Sequence, residues 1–222
     1  MLNISKFTEL FDRLARYEDG YKIFDNFLNY TLLYFKENRK EGEMEEIFRS
    51  LRLKEAPAIF EQMFLEIHSI TAGNHMELED PLGEFFQKRF ASAKAGQFFT
   101  PESLAQMLGQ LAGISADPGA FGKIVVDPTC GSGRMFLESA KTYRYNLFFG
   151  ADISPMCCKI ATLNMLMNLL MGEITHMDSL SNEFYSCYII FSRRENNLDV
   201  PKFIHSTDPR NSLLHQSIQK RQ

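Results

Sequence analysis

The sequence predicts an α/β protein in which a helical N-terminal region precedes a doubly wound, mostly parallel sheet. Up to residue 95, apolar residues recur every three or four positions, which is the spacing of amphipathic helices. After Gly96, short apolar runs alternate with helical patterns, as they do where helices join parallel strands. We therefore divide the chain into a helical region (1–95), an α/β core (96–192) and a polar C-terminal tail (193–222).

The helical region contains four stretches with this spacing, and we expect their aromatic residues to fill a core. In the last stretch Asp80 can cap the helix, and Pro81 stands in the first turn, where proline is tolerated. The stretches are FTELFDRLARY (7–17), YKIFDNFLNYTLLYF (21–35), APAIFEQMFLEIHSI (56–70) and EDPLGEFFQKRFASA (79–93), and KEGE (40–43) separates the second from the third.

The α/β core (96–192) begins with a helix over 100–113, for which Thr100 is the predicted N-cap. Strands are predicted at KIVVDP (123–128), NLFFGADI (146–153), EITHMDSL (173–180) and CYIIF (187–191). Helices are predicted between the first three strands, over 133–143 and 154–172. Ser154 and Pro155 form the start signal of the second of these helices.

Three of the predicted strands end in an aspartate: Asp127, Asp152 and Asp178, spaced 25 and 26 residues apart. One strand and one helix fill each interval, so the three carboxylates should meet at the carboxyl edge of the sheet. Ligands of doubly wound folds bind at this edge. Aspartates after strands are also common turn and cap residues, which is the alternative interpretation of each one.

The loop DPTCGSGRM (127–135) follows the first strand, and its Gly131 and Gly133 allow a ligand to approach the backbone closely. Asp152 is well placed for ribose hydroxyls. Asp178 can accept a hydrogen bond from an adenine amino group. Three acids favour a ligand with ribose, adenine and net positive charge over a pyrophosphate.

These motifs resemble those of adenine-N6 DNA methyltransferases, and most of all the modification (M) subunit of type I restriction–modification systems. The similar elements are DPTCGSGRM, the GQFFTP stretch (96–101), GADISP (150–155) and MDSL (177–180). The resemblance covers roughly residues 1–190 and implies a Rossmann-like, S-adenosylmethionine-dependent methyltransferase core with an incomplete sheet. The family often carries Glu where Asp152 stands.

The resemblance also assigns roles to residues of the cofactor site. Asp127, Pro128, Cys130, Gly131 and Gly133 are expected to lie beneath the amino-acid part and sulfonium of S-adenosylmethionine. The remaining assignments are closure over the methionine end by Phe98, Phe99, Thr100 and Pro101, ribose binding by Asp152 and Ile153, and adenine binding by Asp178 and Ser179.

The match stops after the fourth strand, where the family carries an Asn/Asp-Pro-Pro-Phe/Tyr element that receives the target adenine. Here SRRENN follows CYIIF, and DVPKF (199–203) is only a late echo, which we interpret as turn residues in a tail. We therefore expect no catalytic residue. The fourth strand, interior in the family, should be an open edge covered by the 193–222 segment, a second copy or a partner subunit.

Composition excludes several classes of protein. The net charge of −4 gives no global attraction to nucleic acid, so DNA contact depends on local groups such as Lys88, Arg89 and Arg193. Four cysteines without metal-site spacing, no signal peptide and no long apolar run predict a reduced, cytoplasmic protein without a metal or membrane span. A nicotinamide or flavin oxidoreductase is disfavoured, because the loop is not Gly-x-Gly-x-x-Gly.

Two functions follow from the sequence. The first is an S-adenosylmethionine-binding DNA adenine-N6 methyltransferase-like protein of a restriction–modification system that is inactive alone. The second is a non-catalytic cofactor-binding or interaction protein that pairs with, or mimics, a modification subunit.

Overall fold

The computed structural model describes residues 2–73, 78–90 and 122–220. The helices of the N-terminal region are α1 (Ser5–Ala15), α2 (Gly20–Leu33), α3 (Glu43–Leu51), α4 (Ala56–Gly73) and α5 (Pro81–Arg89). The α/β part comprises β1 (Ile124–Asp127), α6 (Arg134–Thr142), β2 (Leu147–Asp152), α7 (Pro155–Met167), β3 (Met171–Asp178), β4 (Glu183–Glu195), β5 (Leu198–Ser206) and α8 (Leu213–Gln219). The helix predicted over 100–113 lies outside the described residues, and the boundary at residue 95/96 stays a prediction.

Side-chain caps fix where several helices begin. Asp80 accepts a hydrogen bond from the Gly83 N–H at the start of α5, with Pro81 in the first turn, as predicted. Ser154 accepts one from the Cys157 N–H at the start of α7, also as predicted. Helix α3 is an addition to the predicted set, and Gly42, in a left-handed conformation with φ of 88°, stands directly before it.

Phenylalanine rings from several helices fill the core of the N-terminal region. The ring of Phe85 in α5 lies 4.9 Å, centroid to centroid, from the rings of Phe7 and Phe11 in α1, in edge-to-face contacts. Such pairs add about 0.5–1.5 kcal/mol to the stabilisation from apolar burial alone. The core continues without a break into the α/β part, where it includes Phe136 and Ile174. The expected core role is confirmed for phenylalanines such as Phe7, Phe11 and Phe85, whereas Tyr17 and Tyr21 of the same stretches are exposed.

The sheet has the strand order β1-β2-β3-β4-β5. Strands β1, β2 and β3 are parallel, with α6 and α7 in the connections, which confirms the prediction for these elements. Neighbouring residues of β2 belong to opposite faces: Phe148 packs into the main core, and Phe149 packs against a second, smaller cluster with Leu214 of α8.

The prediction of a mostly parallel arrangement is wrong for the fourth strand. Strand β4 pairs antiparallel with β3, and β5 pairs antiparallel with β4. Only residues 179–182 connect β3 to β4, and a parallel crossover needs a dozen residues or more. The short connection therefore forces a hairpin, in which Asn182 takes a positive φ of 61°.

The prediction of a polar tail from Arg193 is also wrong for the described residues. Strand β4 continues to Glu195, and Asn196 and Asn197, with φ of 50° and 65°, form a tight hairpin turn before β5. Strand β5 covers β4, so the fourth strand is not an open edge. The sequence left three candidates to cover the fourth strand: the 193–222 segment, a second copy or a partner subunit. The strand that pairs with β4 is β5, which belongs to the 193–222 segment.

Contacts on both sides of the sheet hold the C-terminal segment. The backbone of Phe203 in β5 exchanges hydrogen bonds with Phe35 and Glu37, just after α2. On the other face, the buried carboxylate of Glu173 in β3 accepts hydrogen bonds from the Ser212 hydroxyl and, at 2.8 Å, from the Leu213 N–H. A polar residue inside a strand thus anchors the start of α8.

Candidate functional site

The glycine loop, residues 128–133, lies between β1 and α6 at the carboxyl edge of the parallel strands. Its backbone is fastened to the end of β2, because the Cys130 N–H donates to the Ala151 carbonyl at 2.8 Å. Gly131 and Gly133 have φ of 55° and 78°, a left-handed conformation that glycine adopts without strain. The loop is therefore pre-shaped, and Gly133, whose missing side chain would press on Ala161 of α7, lets the loop pack closely on that helix.

The three predicted aspartates do end the three parallel strands. The register pairs Asp127 with Gly150 and Asp152 with His176, so each aspartate stands two residues further along the edge than the one before. The Ser179 hydroxyl donates to the Pro128 carbonyl at 2.6 Å and joins the end of β3 to the glycine loop. The sequence prediction that these strand ends meet at one edge is confirmed.

Asp152 is the central acid of this edge. Its Oδ2 accepts a hydrogen bond from the Gly131 N–H at 2.9 Å, and its Oδ1 accepts one from the Ser154 N–H at 2.8 Å. A carboxylate offers about four lone-pair positions, so two remain for ligand hydroxyls. The adjacent Ile153 is 61% exposed and offers an apolar surface beside the carboxylate.

Asp178 lies at the exposed end of β3. Its Oδ1 accepts hydrogen bonds from the N–H groups of Leu180 and Ser181, at 2.9 and 3.3 Å. The Leu180 N–H foremost, and then the side chain and N–H of Ser181, lower the pKa of Asp178, so it is ionised at neutral pH. Both backbone bonds use the same oxygen, and Oδ2 can accept a hydrogen bond from a ligand.

Asp127 has the opposite electrostatic environment. Burial raises the pKa of its carboxyl, the Thr129 N–H opposes this at 3.0 Å from Oδ1, and the charge of Asp152 raises it further. Two neighbouring carboxylates in a partly buried edge repel each other. A positively charged ligand group relieves that repulsion.

Cys130 is a structural residue of the loop. Its side chain is buried, and burial, followed by the charges of neighbouring groups, raises the pKa of the thiol well above its ordinary value. A protonated thiol is a poor nucleophile, so Cys130 supports the loop by packing. Phe98, Phe99, Thr100 and Pro101, the other predicted cofactor contacts, lie outside the described residues.

A buried aspartate from the helical region supports the glycine loop from below. Asp80 accepts hydrogen bonds from the Ser132 hydroxyl at 2.5 Å and the Asn164 amide at 2.7 Å, and Arg134 lies 3.3 Å from its Oδ2. Burial raises the pKa of Asp80, and the charge of Arg134 opposes that effect most strongly.

Sequence reasoning assigned Asp80 only a capping role and missed this contact with the loop. The signal was Asn164, a polar residue inside the apolar helix α7. A buried amide needs hydrogen-bond partners from another element, and Asn164 donates both to Asp80 and, at 2.8 Å, to the Ser132 carbonyl.

The late echo DVPKF falls inside β5, away from the carboxyl edge. Asp199 pairs with Arg194, next to the hairpin turn, and Phe203 is buried in the main core. Pro201 occupies an edge strand, where a missing N–H is tolerated. The interpretation of this segment as turn residues is wrong, and its residues do not reach the carboxyl edge of the parallel strands.

The family model for N-6 DNA methylase matches residues 79–200, which is more than half of the chain. The chain belongs to the N-6 DNA methylase family. This confirms the family predicted from the loop and the strand ends. The match takes in α5, the glycine loop, all three acidic strand ends and β4.

Among solved structures, the chain is similar to a type I restriction–modification system methyltransferase subunit from Streptococcus thermophilus, with 21% identity and a TM-score of 0.39. The alignment covers 55% of this chain and 26% of that chain, so this chain spans about a quarter of the length of that subunit. A search of curated proteins finds no match.

The described ranges 2–73, 78–90 and 122–220 contain no group of three or more His, Cys, Asp or Glu side chains placed to hold a metal ion. Nor does any helix in them combine the length and apolar character of a membrane span.

Proposed function

We propose that this member of the N-6 DNA methylase family binds S-adenosylmethionine at the carboxyl edge of β1, β2 and β3. One observation carries the proposal: three parallel strands end in aspartates around a glycine loop that is fastened to the central acid, Asp152. Doubly wound sheets bind nucleoside ligands at this place.

The charge of the site fits this cofactor. The raised pKa of Asp127, caused first by burial and also by Asp152, indicates a site that favours a cation. S-adenosylmethionine carries a sulfonium and an amino group, whereas the pyrophosphate of a dinucleotide would add negative charge. The carboxyl edge of the parallel strands therefore favours the binding of a sulfonium nucleoside over that of NAD.

The proposed contacts follow from the groups that remain available. The glycine loop lies under the amino-acid part of the cofactor, and Asp152 accepts hydrogen bonds from the ribose hydroxyls beside Ile153. Asp178 accepts one from the adenine amino group through Oδ2, next to Ser179. When bound, the cofactor supplies an electrophilic methyl group. Closure by Phe98, Phe99, Thr100 and Pro101 remains part of the proposal.

We further propose that the purified chain does not transfer the methyl group. The family places its adenine-binding element after the fourth strand. In this chain β4 starts beside Asp178 and runs antiparallel, so it ends at Glu195, past the amino end of β3. Residues after β4 are therefore a strand length away from the cofactor edge.

The biological setting proposed is a DNA-modification system in the cytoplasm, in which a partner subunit supplies what this chain does not. Four free, buried cysteines support a reducing compartment. Direct DNA contact has little support here, because Lys88, Arg89 and Arg193 each form an ion pair within the chain.

The alternative is a non-catalytic cofactor-binding or interaction protein that pairs with a modification subunit. The outer side of β1 supports a pairing role. Within the described part of the chain no strand pairs with that side, and Ile124 and Val126 are 66% and 54% exposed. Unpaired strand edges with apolar side chains are templates for association.

Two measurements test these proposals. Isothermal titration calorimetry with S-adenosylmethionine, S-adenosylhomocysteine and NAD should show binding of the two sulfur ligands and none of NAD. The absence of binding by both sulfur ligands would refute the cofactor site. Tritiated-methyl transfer to unmethylated DNA should stay at background, and incorporation by the chain alone would refute the inactive assignment.

A further inference from the structure

A cavity lies between the helical region and the β4–β5 hairpin, away from the glycine loop. Its volume of about 430 Å³ is in the range of small-molecule sites, which run from about 300 to 1,000 Å³. Helices α2 and α3 form one wall, and α7, β4 and β5 form the other. Most of this lining lies outside residues 79–200, and only Lys159 and Tyr188 of the lining belong to the segment that the family model matches.

The lining combines an apolar floor with two lysines. Leu32, Leu33 and Phe203 supply apolar surface, while Lys36 and Lys159 enter from opposite walls. The lysine side chains are only 27% and 15% exposed. Poorly hydrated ammonium groups beside apolar surface favour an anionic partner.

Each lysine has an acidic partner yet keeps donors for a ligand. Lys36 bonds to Glu43 at 2.5 Å and Lys159 to Asp25 at 2.5 Å. An ammonium group has three donors, so each lysine can also bond to a ligand. Of the lining acids, Glu43 is engaged by Lys36 and the Lys40 N–H, and Glu46 is exposed to water.

Two rings, His205 and Tyr188, line the cavity beside the lysines. Burial, and then the charges of Lys36 and Lys159, lower the pKa of His205. The ring of Tyr188 lies 4.7 Å from that of His205, and burial raises the pKa of its phenol. The phenol thus stays protonated and can donate a hydrogen bond.

We propose that this cavity binds a small anion with an apolar body. The apolar body packs on Leu32, Leu33 and Phe203, and the anionic group accepts hydrogen bonds from Lys36, Lys159 and Tyr188. Because the walls belong to α2, α3 and the β4–β5 hairpin, such a ligand joins the helical region to the hairpin. The inference does not depend on the proposed cofactor function.

The test compares two fluorescent probes that differ in charge. 8-Anilinonaphthalene-1-sulfonate has an aromatic body and one sulfonate, and N-phenyl-1-naphthylamine has the same ring system without it. Fluorescence titration of the full chain should show one sulfonate probe bound per molecule, about tenfold or more tighter than the neutral probe. Equal affinity of the two probes would overturn the anionic assignment.

Matched variants locate the probe. Lys36→Met with Lys159→Met should weaken sulfonate binding about tenfold or more, and arginine at both positions should preserve it. The control removes two other paired lysines, Lys88→Met with Lys141→Met, and should leave the affinity unchanged. Methionine variants that bind as tightly as the wild type would overturn the proposal.

Two further measurements separate folding and cofactor effects from the cavity. Ser50 is exposed on α3 at the mouth of the cavity, so Ser50→Trp should block the probe without disturbing the core. Unchanged binding by that variant would overturn the assignment even if the methionine variants fail to fold. S-adenosylmethionine should not displace the probe, and competition between them would place the probe in the cofactor site instead.

Discussion

At the residue scale, Asp152 has two roles: it accepts a hydrogen bond from the glycine loop, and it lies at the proposed ribose position. Asp152→Ala removes the acceptor of ligand hydroxyls and of the Gly131 N–H. We expect it to weaken S-adenosylmethionine binding by roughly 1–3 kcal/mol, the cost of leaving polar groups without partners. Calorimetry measures this loss.

Two control variants accompany Asp152→Ala. Asp152→Asn, which keeps one acceptor oxygen, should lose less affinity, and Asp199→Ala on the exposed hairpin should lose none. Unchanged affinity in Asp152→Ala would refute its role.

We expect Asp127 to make the proposed cofactor binding depend on pH. Burial, and then the charge of Asp152, raises its pKa above the usual 3.8 in the free protein. A cationic ligand favours the ionised carboxylate and lowers that pKa, so binding releases a proton. Affinity should therefore be full above the raised pKa and should fall as the pH drops through it.

Calorimetry at a series of pH values measures this dependence on Asp127. S-adenosylhomocysteine shares the amino-acid group but lacks the sulfonium charge, so its affinity should fall less in acid. Asp127→Asn should bind more weakly at neutral pH and lose this part of the pH dependence. Affinity that rises on acidification would contradict the assignment.

At the element scale, the sequence predicted β1, α6 and β2 to within one residue at each end. It also predicted where α7 begins, but it extended that helix to residue 172, whereas α7 ends at Met167 and β3 begins at Met171. Apolar runs, Ser154-Pro155 and the aspartates at strand ends are local signals, and local signals place local elements. Strand β4 was found, but its direction was not, because direction depends on the length of the connection after Asp178. The Asn196-Asn197 pair was a hairpin signal that the polar composition of the segment obscured.

The element that composition concealed most completely is α8. Ser212 anchors the start of this helix, because its hydroxyl donates to Glu173 and accepts from the His215 N–H at 3.0 Å. Ser212→Ala removes a helix cap and a donor to a buried carboxylate. We expect a loss of about 1–2 kcal/mol in the free energy of unfolding.

Chemical denaturation and amide hydrogen exchange measure the effect of Ser212→Ala. Exchange should accelerate over residues 213–219 before it changes in β1 or β2, because α8 contacts only the second face of the sheet. The matched control is Ser217→Ala on the same helix, whose hydroxyl donates only to the Leu214 carbonyl. Equal effects of the two substitutions would refute the anchoring role of Ser212.

At the scale of the whole molecule, the helical region is part of the site's support. Its core is continuous with that of the sheet, and Asp80 brings a carboxylate from the start of α5 to the underside of the glycine loop. No spacing rule connects residue 80 with residue 132, since the contact depends on how α5 packs against α7. This long-range contact is the part of the site that the sequence could not supply.

Removal of Asp80 therefore tests whether the two halves act as one unit. Asp80→Ala leaves Arg134, only 16% exposed, without this carboxylate and removes the acceptor of Ser132 and Asn164. Truncating one partner of a buried ion pair costs about 3–5 kcal/mol. We expect that loss in the free energy of unfolding, with weaker S-adenosylmethionine binding in the fraction that stays folded.

The control Asp12→Ala breaks an exposed pair with Arg89 and should cost about 1 kcal/mol or less. If Asp80→Ala lowers stability but leaves cofactor affinity unchanged, the glycine loop keeps its shape without the helical region.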